Sequence, residues 1–168
     1  MDISSETAIR EFDKSEIEDA IAIYSQSLSD AQATFQTKAP TPEVWDIRHR
    51  EVCRLAAYDS GKMVGRCALS PFSQLPTYDG VAEVSLYIDK EYRRRGIGSA
   101  LLRLQCDESE KCGLWTLYSS IFPENTASIK IHEKCGFRLI GRHEKLAKDL
   151  FGNRRDTVIF ERRSKVII

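Results

Sequence analysis

Residues 84–102 read VSLYIDKEYRRRGIGSALL, and this stretch decides how the rest of the chain can fold. An apolar run is followed by a basic turn, and Gly96 and Gly98 stand where an apolar helical pattern begins. Glycine lets a backbone approach a ligand closely, and the first amide groups of a helix have no partner inside it. The stretch therefore predicts a strand, a turn and a helix whose start binds a pyrophosphate. The alternative is an exposed basic helix start that binds nothing.

The common nucleotide motifs do not describe this turn. A dinucleotide-binding G-x-G-x-x-G would need a third glycine where Leu101 stands, and it would follow the first strand rather than lie in mid-chain. A Walker A loop, GxxxxGK[ST], is absent from the sequence. If the turn binds a pyrophosphate, the molecule that carries it is therefore of a class that neither motif recognises.

The flanking sequence predicts a mixed sheet covered by helices. Residue patterns place strands at 7–12, 52–58, 63–70, 81–88, 114–119, 137–142 and 156–163. Helices are expected after a cap at Asp13 or Ser15, from Pro42, at 98–111 and at 125–134, the last closed by Gly136. The order β-α-α-β-β-β-α-β-α-β-β is typical of an α/β or α+β layer architecture.

Two motifs in this order resemble those of one enzyme family. The spacing R-x-x-G-x-G of Arg93, Gly96 and Gly98 resembles the acetyl-CoA loop of the GNAT acyltransferases. Residues 125–137, NTASIKIHEKCGF, resemble a second segment of the same family, which has the pattern N-x-x-A/S-x-x-x-[YH]-E-x-x-G-F. Further segments resemble the phosphinothricin acetyltransferase branch: 33–35, 42–45, 70–72, 77–78, 81–88 and 128–133. The resemblance implies a mixed, mostly antiparallel sheet with helices on both faces and two strands splayed at the acetyl-CoA site.

The resemblance also implies acetyl-CoA as co-substrate and assigns residues to it. In the family, the backbone of a splayed strand pairs with the pantetheine arm, and the turn with the following helix start holds the pyrophosphate. The matching positions in this sequence are Leu86, Tyr87, Ile88, Arg93, Arg94, Arg95, Gly96, Ile97, Gly98, Ser99, Asn125, Ser128 and Lys134.

Glu83 is the candidate general base. It lies within an apolar strand, where a carboxylate is costly unless it has a partner or a chemical task. Partial burial raises the pKa of a carboxyl group toward the range in which it can accept the proton of an ammonium. The alternative is an ion pair with a nearby Arg or Lys; the resemblance favours the catalytic role.

His132 is a second catalytic candidate, as an acid for the leaving thiolate. Many members of the superfamily carry Tyr here, and this chain carries His, as the phosphinothricin branch does. The alternative is a packed helix histidine, and both readings stay open. Cys135, three residues on, continues the helical spacing of Ala127 and Ile131, which favours a place in the core.

The acceptor pocket is implied by the resemblance, with walls from Phe35, Phe72, Tyr78 and Ser85. Relatives usually carry an Arg just after the Pro-Phe pair, whereas Ser73 follows Phe72 here. An Arg at that place could bind a carboxylate bidentately. Arg154 or Arg155, near the C-terminal end, is a hypothetical replacement.

Composition limits the remaining possibilities. The 168 residues are expected to form one acetyltransferase domain, 1–168, with 25 basic and 25 acidic side chains and no net charge. This balance argues against nucleic acid or a membrane as partner. Five cysteines without CxxC spacing, and a start unlike a signal peptide, indicate the cytoplasm and no metal site.

The most specific expectation is an N-acetyltransferase that transfers acetyl to the primary amine of a small, amino-acid-like acceptor of the phosphinothricin or methionine sulfone type. One alternative acceptor is a peptide or protein amine, or a polyamine. Another alternative is an acyl-CoA-binding module without catalysis. The resemblance also suggests a homodimer.

Overall fold

The computed structural model describes residues 7–29 and 32–168. Within these two ranges, seven strands form one sheet in the order β1-β2-β3-β4-β5-β7-β6. Their bounds are β1 Thr7–Glu11, β2 Leu55–Asp59, β3 Lys62–Pro71, β4 Val81–Ile88, β5 Thr116–Ile121, β6 Arg138–Lys148 and β7 Arg154–Arg163. Only the pair β4 and β5 is parallel, and the others are antiparallel. The predicted fold class is confirmed.

The described part of the chain also contains four α-helices, which cover the sheet: α1 Ile17–Ser25, α2 Pro42–Arg48, α3 Ile97–Lys111 and α4 Thr126–Lys134. A 3-10 turn at Lys14–Glu16 directly precedes α1, and Asp13 and Glu16 form a reciprocal capping box at that turn. The hydroxyl oxygen of Thr41 accepts from the amide of Val44 and caps α2. Of the two predicted caps, Asp13 rather than Ser15 is the capping residue, and it caps the 3-10 turn that leads into α1.

The two faces of the sheet carry separate cores. The larger one packs α3 against the sheet and includes Leu69, Leu101, Leu117 and Phe160, all no more than 2 % exposed. The smaller one lies on the other face, under α1 and α2, with Trp45 at its centre. Helices on both faces therefore bury the alternate residues of the strands, which fixes their register.

Helix α4 ends in a Schellman motif, as the sequence predicts. The amide of Phe137 donates to the carbonyl of His132 at 3.0 Å, and the amide of Gly136 donates to that of Glu133 at 3.1 Å. Gly136 has a φ of 86°, which an L side chain adopts only with strain. Phe137 then packs edge-on against the ring of His132, so this turn fixes the position of the histidine.

Strands β4 and β5 separate soon after they pair. Their parallel register joins Val81 to Thr116, Ala82 to Leu117 and Glu83 to Tyr118, and it stops there. β4 continues to Ile88 along β3, and β5 continues to Ile121 along β7. A wedge-shaped opening results within the sheet, with Glu83 at its apex, as the resemblance implies.

Some boundaries differ from those predicted. Strand β6 continues to Lys148, six residues beyond the predicted end at Arg142, and β7 begins two residues early. Strand β2 begins at Leu55 rather than at residue 52, because Cys53 has a φ of 61° that interrupts the extended backbone. These differences lie at element ends and leave the order of elements unchanged.

Within residues 7–29 and 32–168, no helix combines the length and apolar character needed to cross a membrane. In the same residues, no group of three His, Cys, Asp or Glu side chains is arranged to hold a metal ion.

Candidate active site

A cavity of about 330 Å³ opens at the wedge between β4 and β5. Its floor comes from β3 and β4, one wall from β5 and α4, and the opposite wall from α1, α2 and the segment between them. The predicted residues Phe35, Glu83, Ser85, His132 and Asn125 all contribute to this lining. The fold therefore brings most of the predicted chemistry to one place.

Glu83 lies at the apex of the wedge and opens into the cavity. Within the described residues its carboxylate has neither a hydrogen-bond donor nor a basic ion-pair partner, so the ion-pair alternative finds no support there. Although the cavity gives water access to the side chain, the surrounding protein removes enough hydration to raise the pKa of Glu83. A carboxylate with a raised pKa and no partner is typical of a functional site.

His132 is 2 % exposed and is held at both ring nitrogens. Nδ1 lies 2.8 Å from the carbonyl oxygen of Ser128, so Nδ1 carries the hydrogen and donates it. Burial lowers the pKa of His132, and the neutral ring then accepts at Nε2 from the hydroxyl of Ser119, 2.8 Å away. The histidine is thus engaged at both ring nitrogens, and both it and Ser119 line the cavity.

The start of α3 is the predicted pyrophosphate cradle. Its N-cap, Gly96, has a φ of 79° and no side chain that could occupy the first amide groups. The side chain of Ile97 enters the larger core, so only its backbone faces outward. Gly98 has a packing reason as well, because a Cβ there would lie 3.0 Å from the Cδ1 atom of Ile131 on α4.

The basic turn before α3 is shaped by its own side chains. Arg93 donates from Nε to the carbonyl of Ile88 at 3.3 Å, and Arg95 donates to the carbonyl of Glu91 at 3.0 Å. Arg94 is exposed, with a left-handed φ of 64°. The three arginines therefore point in different directions, and Arg94 has no hydrogen bond of its own within the described residues.

The other predicted coenzyme residues surround the wedge. Leu86 and Tyr87 line the cavity, while the Ile88 side chain packs on the larger core. The side chain of Asn125 caps α4 by accepting from the amide of Ser128 at 3.2 Å. The remaining two are Ser99 in the first turn of α3, whose carbonyl accepts from the Cys135 thiol, and Lys134, exposed in the last turn of α4.

The predicted acceptor residues divide into two groups. Phe35 lines the cavity and packs edge-on against Phe122, and Ser85 lies on the floor. Phe72 and Tyr78 contact each other outside the cavity lining, and Phe72 also contacts Tyr118 beside Glu83. Both are more than one-third exposed, so their role stays a prediction.

The hypothesis of a carboxylate-binding Arg154 or Arg155 finds little in the geometry. Neither lines the cavity. Arg155 contacts the carboxylates of Glu124 at 3.1 Å and Asp149 at 3.4 Å, so its charge is already matched. Arg154 is exposed at the first position of β7.

Sequence reasoning missed several polar residues of the cavity, and two of them, Arg66 and Ser119, bear on its chemistry. Arg66 lies on the floor, within a strand that was treated only as an apolar run. A lone cation in such a run was a signal that could have been used. Ser119 stands on the wall with no comparable signal, because its contact with His132 depends on how β5 meets α4.

A sheet whose strands splay beside a cavity is what the resemblance to the GNAT acyltransferases implies, and sequence comparison agrees with that resemblance. The model of the acetyltransferase (GNAT) family matches residues 18–137. The chain belongs to this family, which confirms the resemblance and makes the protein an acetyltransferase.

Individual relatives indicate the branch. "Putative phosphinothricin acetyltransferase YwnH" of Bacillus subtilis is 32 % identical over 152 residues, which cover 88 % of this chain and 93 % of the relative. The phosphinothricin N-acetyltransferase of Streptomyces coelicolor is 27 % identical over 167 residues, covering 95 % and 97 %. The crystal structure of a phosphinothricin acetyltransferase from Sinorhizobium meliloti in complex with acetyl-CoA superposes with a TM-score of 0.84 at 24 % identity, covering 94 % and 88 %.

Proposed function

We propose that this chain is an acetyl-CoA-dependent N-acetyltransferase that acts on the primary amine of a small, amino-acid-like acceptor. The observation that carries the proposal is Glu83, a carboxylate without a partner at the apex of the wedge between β4 and β5. Relatives of this chain are named for phosphinothricin, which is a small amino acid, and the cavity of about 330 Å³ suits a molecule of that size.

The residues around the wedge fit acetyl-CoA. Beyond Glu83 the edge of β4 that faces β5 has lost its partner strand, which leaves its backbone available to the pantetheine arm. The uncapped start of α3, with Gly96 in place of a capping side chain, offers free amide groups and a positive dipole to the pyrophosphate. Arg94 adds an exposed charge there. When bound, acetyl-CoA supplies the acetyl group as a thioester.

Glu83 has the task of deprotonating the acceptor. An ammonium has no lone pair, so it must lose a proton before the nitrogen can attack a carbonyl. Glu83 accepts that proton directly or through a water, and its raised pKa makes it a stronger base than an ordinary carboxylate. The rest of the contribution is to hold two substrates in contact inside the cavity.

We assign Ser119 and His132 to the departure of the thiolate, because both line the cavity on its β5 and α4 wall. The Nε2 atom of His132 holds the hydroxyl of Ser119 in a fixed orientation, and the Ser128 carbonyl fixes the ring from behind. We assign His132 a positioning role on this geometry, since its own N–H is committed to a carbonyl. Ser119 directs its own proton at Nε2, so its oxygen can orient a water in the cavity; through that water the thiolate takes the second proton of the amine nitrogen, which is released as the carbonyl re-forms.

Residues 1–168 act in this proposal as one domain, in the cytoplasm and as a homodimer. Free thiols support a reducing compartment: Cys53 and Cys112 lie 3.4 Å apart at their sulfur atoms and are not bonded. The exposed apolar side chains of β6 and of the turn after it, Leu139, Ile140, Leu146 and Phe151, support a face for self-association. Neither nucleic acid nor membrane is part of the proposal.

The experiment is release of free thiol from acetyl-CoA over a panel of amines. The panel contains phosphinothricin, methionine sulfone, a lysine peptide and spermidine. We expect turnover with the two amino acids at kcat/KM at least tenfold above the peptide and the polyamine. Turnover of the peptide or spermidine alone would contradict the acceptor class. Binding of acetyl-CoA without thiol release from any amine would contradict the proposed activity.

A further inference from the structure

Arg66 occupies an unusual place for a charged residue. It lies in the middle of β3, is 2 % exposed, and still forms part of the cavity floor. Burying a cation removes its hydration, and the loss is recovered only through a counter-charge or a full set of acceptors. The contacts of the Arg66 guanidinium therefore show whether the protein itself supplies the counter-charge and acceptors that this cation requires.

The contacts of Arg66 leave it incomplete. Nη1 donates to the hydroxyl of Ser85 at 2.6 Å and approaches the Ser85 carbonyl at 3.4 Å. Nε is buried and donates to no atom of the described chain. The aromatic rings of Tyr24, Trp45 and Tyr87 surround the guanidinium at 5.8, 5.7 and 4.7 Å. In residues 7–29 and 32–168, no carboxylate lies near enough to shift its pKa.

The aromatic enclosure resembles a binding site more than a filled core. Rings confine the guanidinium by cation–π contact but accept no N–H hydrogen bonds in its plane. The plane is therefore left for an anion, which Arg binds through two parallel N–H groups. The other ionisable cavity groups beside Trp45 are Arg48 and His49, and neither supplies a negative charge.

We propose that Arg66 binds the carboxylate of the acceptor, so that the cavity recognises α-amino acids by both of their charged groups. The inference rests on the proposed function, since it names what the acceptor site requires besides an amine. Glu83 receives the ammonium and Arg66 the carboxylate. In this assignment Arg66 takes the role of the carboxylate-binding Arg that relatives carry after the Pro-Phe pair and that this chain lacks.

The strand register places these two charges at a suitable spacing. Arg66 pairs with Tyr87, and Ser70 pairs with Glu83, so all four side chains share the face under α1 and α2. The Arg66 guanidinium reaches Ser85, which is two residues along β4 from Glu83. Two residues of strand span roughly 7 Å, a gap that a short amino-acid backbone fills with one hydrogen bond at each end.

The test compares two amines that differ only by a carboxylate. They are methionine sulfone and 3-(methylsulfonyl)propan-1-amine, each assayed with wild type, Arg66→Met and Arg66→Lys. We expect Arg66→Met to lower the preference for methionine sulfone, measured as the ratio of kcat/KM values, by roughly 10- to 100-fold. Arg66→Lys should retain part of the preference for methionine sulfone, because lysine keeps the positive charge but cannot donate two parallel hydrogen bonds to the carboxylate. The Kd for acetyl-CoA should not change.

The matched control is Arg155→Gln, an arginine beside the cavity whose charge already contacts two carboxylates. It should leave the ratio within twofold. An equal loss with both amines in Arg66→Met would overturn the inference. If Arg66→Met does not fold, Arg66→Lys alone serves as the test. Its kcat/KM ratio between the two amines must lie below that of the wild type, and an unchanged ratio would overturn the inference.

The failure of the proposed function would look different. If the wild type releases thiol with neither amine, calorimetry with methionine sulfone in the presence of CoA still tests Arg66. Binding to the wild type that is lost in Arg66→Met supports the carboxylate site without an acetyltransferase activity. Absence of binding to the wild type overturns it.

Discussion

Two buried arginines flank the ring of Trp45, and they differ in what faces them. At the corner where α2 meets β2, Arg54 pairs with Asp46 at 2.7 Å and donates to carbonyls of Arg50 and His49. On the cavity floor, Arg66 is as deeply buried and touches no carboxylate among the residues described. The contacts of Arg54 hold the loop between α2 and β2 in place, whereas Arg66 has no counter-charge in the described chain and is available to bind an anionic ligand.

The carboxylates repeat this contrast. Glu16 accepts from Arg10 and from the hydroxyl of Tyr58, and the Arg10 hydrogen bond contributes most to a pKa lowered to about 2. Glu83 has no such partner, and desolvation raises its pKa. In both comparisons the charge that has a partner joins elements of the fold, and the charge that has none lines the cavity. Each of the following experiments changes one side of that contrast.

The largest effect is expected from Glu83→Gln, which removes the unpaired carboxylate. Loss of a general base lowers turnover by about 10²- to 10⁴-fold. Binding of acetyl-CoA should persist, because Glu83 lies at the apex of the wedge and the pyrophosphate cradle lies at α3. Initial rates and calorimetry with acetyl-CoA measure the two separately. Unchanged turnover would remove Glu83 from the mechanism.

The pH dependence checks the same residue. Glu83 must be ionised to accept a proton, so kcat/KM of the wild type should rise with pH through a pKa above the ordinary range of a glutamate. In Glu83→Gln this limb should vanish, leaving only the ionisation of the acceptor amine. The deficit of the variant should accordingly shrink at alkaline pH.

The next effect is expected from Gly96→Glu, which supplies a negative charge to the open amide groups of α3. The new carboxylate would compete with the pyrophosphate, and coenzyme binding should fall below detection in titration. Gly96→Ala is the matched control, since it carries the cost of a left-handed φ, about 1–2 kcal/mol, without the charge. Similar affinities of the two variants would contradict the cradle.

The smallest effect is expected from Glu16→Gln, which breaks a paired charge instead. Glu16 is partly exposed and screened by water, so we expect a loss of about 1 kcal/mol, or roughly 2–4 °C in Tm, without a change in kcat. Its folded pKa is lowered, so its contribution is complete above the unfolded value near 4.5 and disappears as the pH falls toward 2. The Tm difference should therefore narrow below pH 4.5, and a constant difference would contradict this origin.

Much of the fold could be predicted because local signals agree with it. The capping box at Asp13, the Gly-rich start of α3 and the Schellman turn at Gly136 each require particular residue types at fixed offsets. The predicted range of β6 ended too early, at Arg142, for a physical reason. Its residues are exposed or half-buried along nearly its whole length, so no alternation of apolar and polar residues marks its second half.

The site was only partly predictable, because its polar contacts join elements that are distant in sequence. Glu83 could be found, since a carboxylate in an apolar strand is visible without the structure. The bond between Ser119 and His132 depends on β5 packing against α4, and no spacing encodes it. Arg66 could have been suspected from its place in β3, but its lack of a counter-charge is a property of the folded surroundings.

The divergence of β4 and β5 also bears on aggregation. It leaves free strand edges inside the sheet, along residues 84–88 of β4 and 119–121 of β5. Such edges can recruit the strand of another molecule, and natural sheets guard against this by keeping them short. Here the longer edge spans five residues and ends at Glu83, so the opening between the two strands offers little length for an intermolecular sheet to grow.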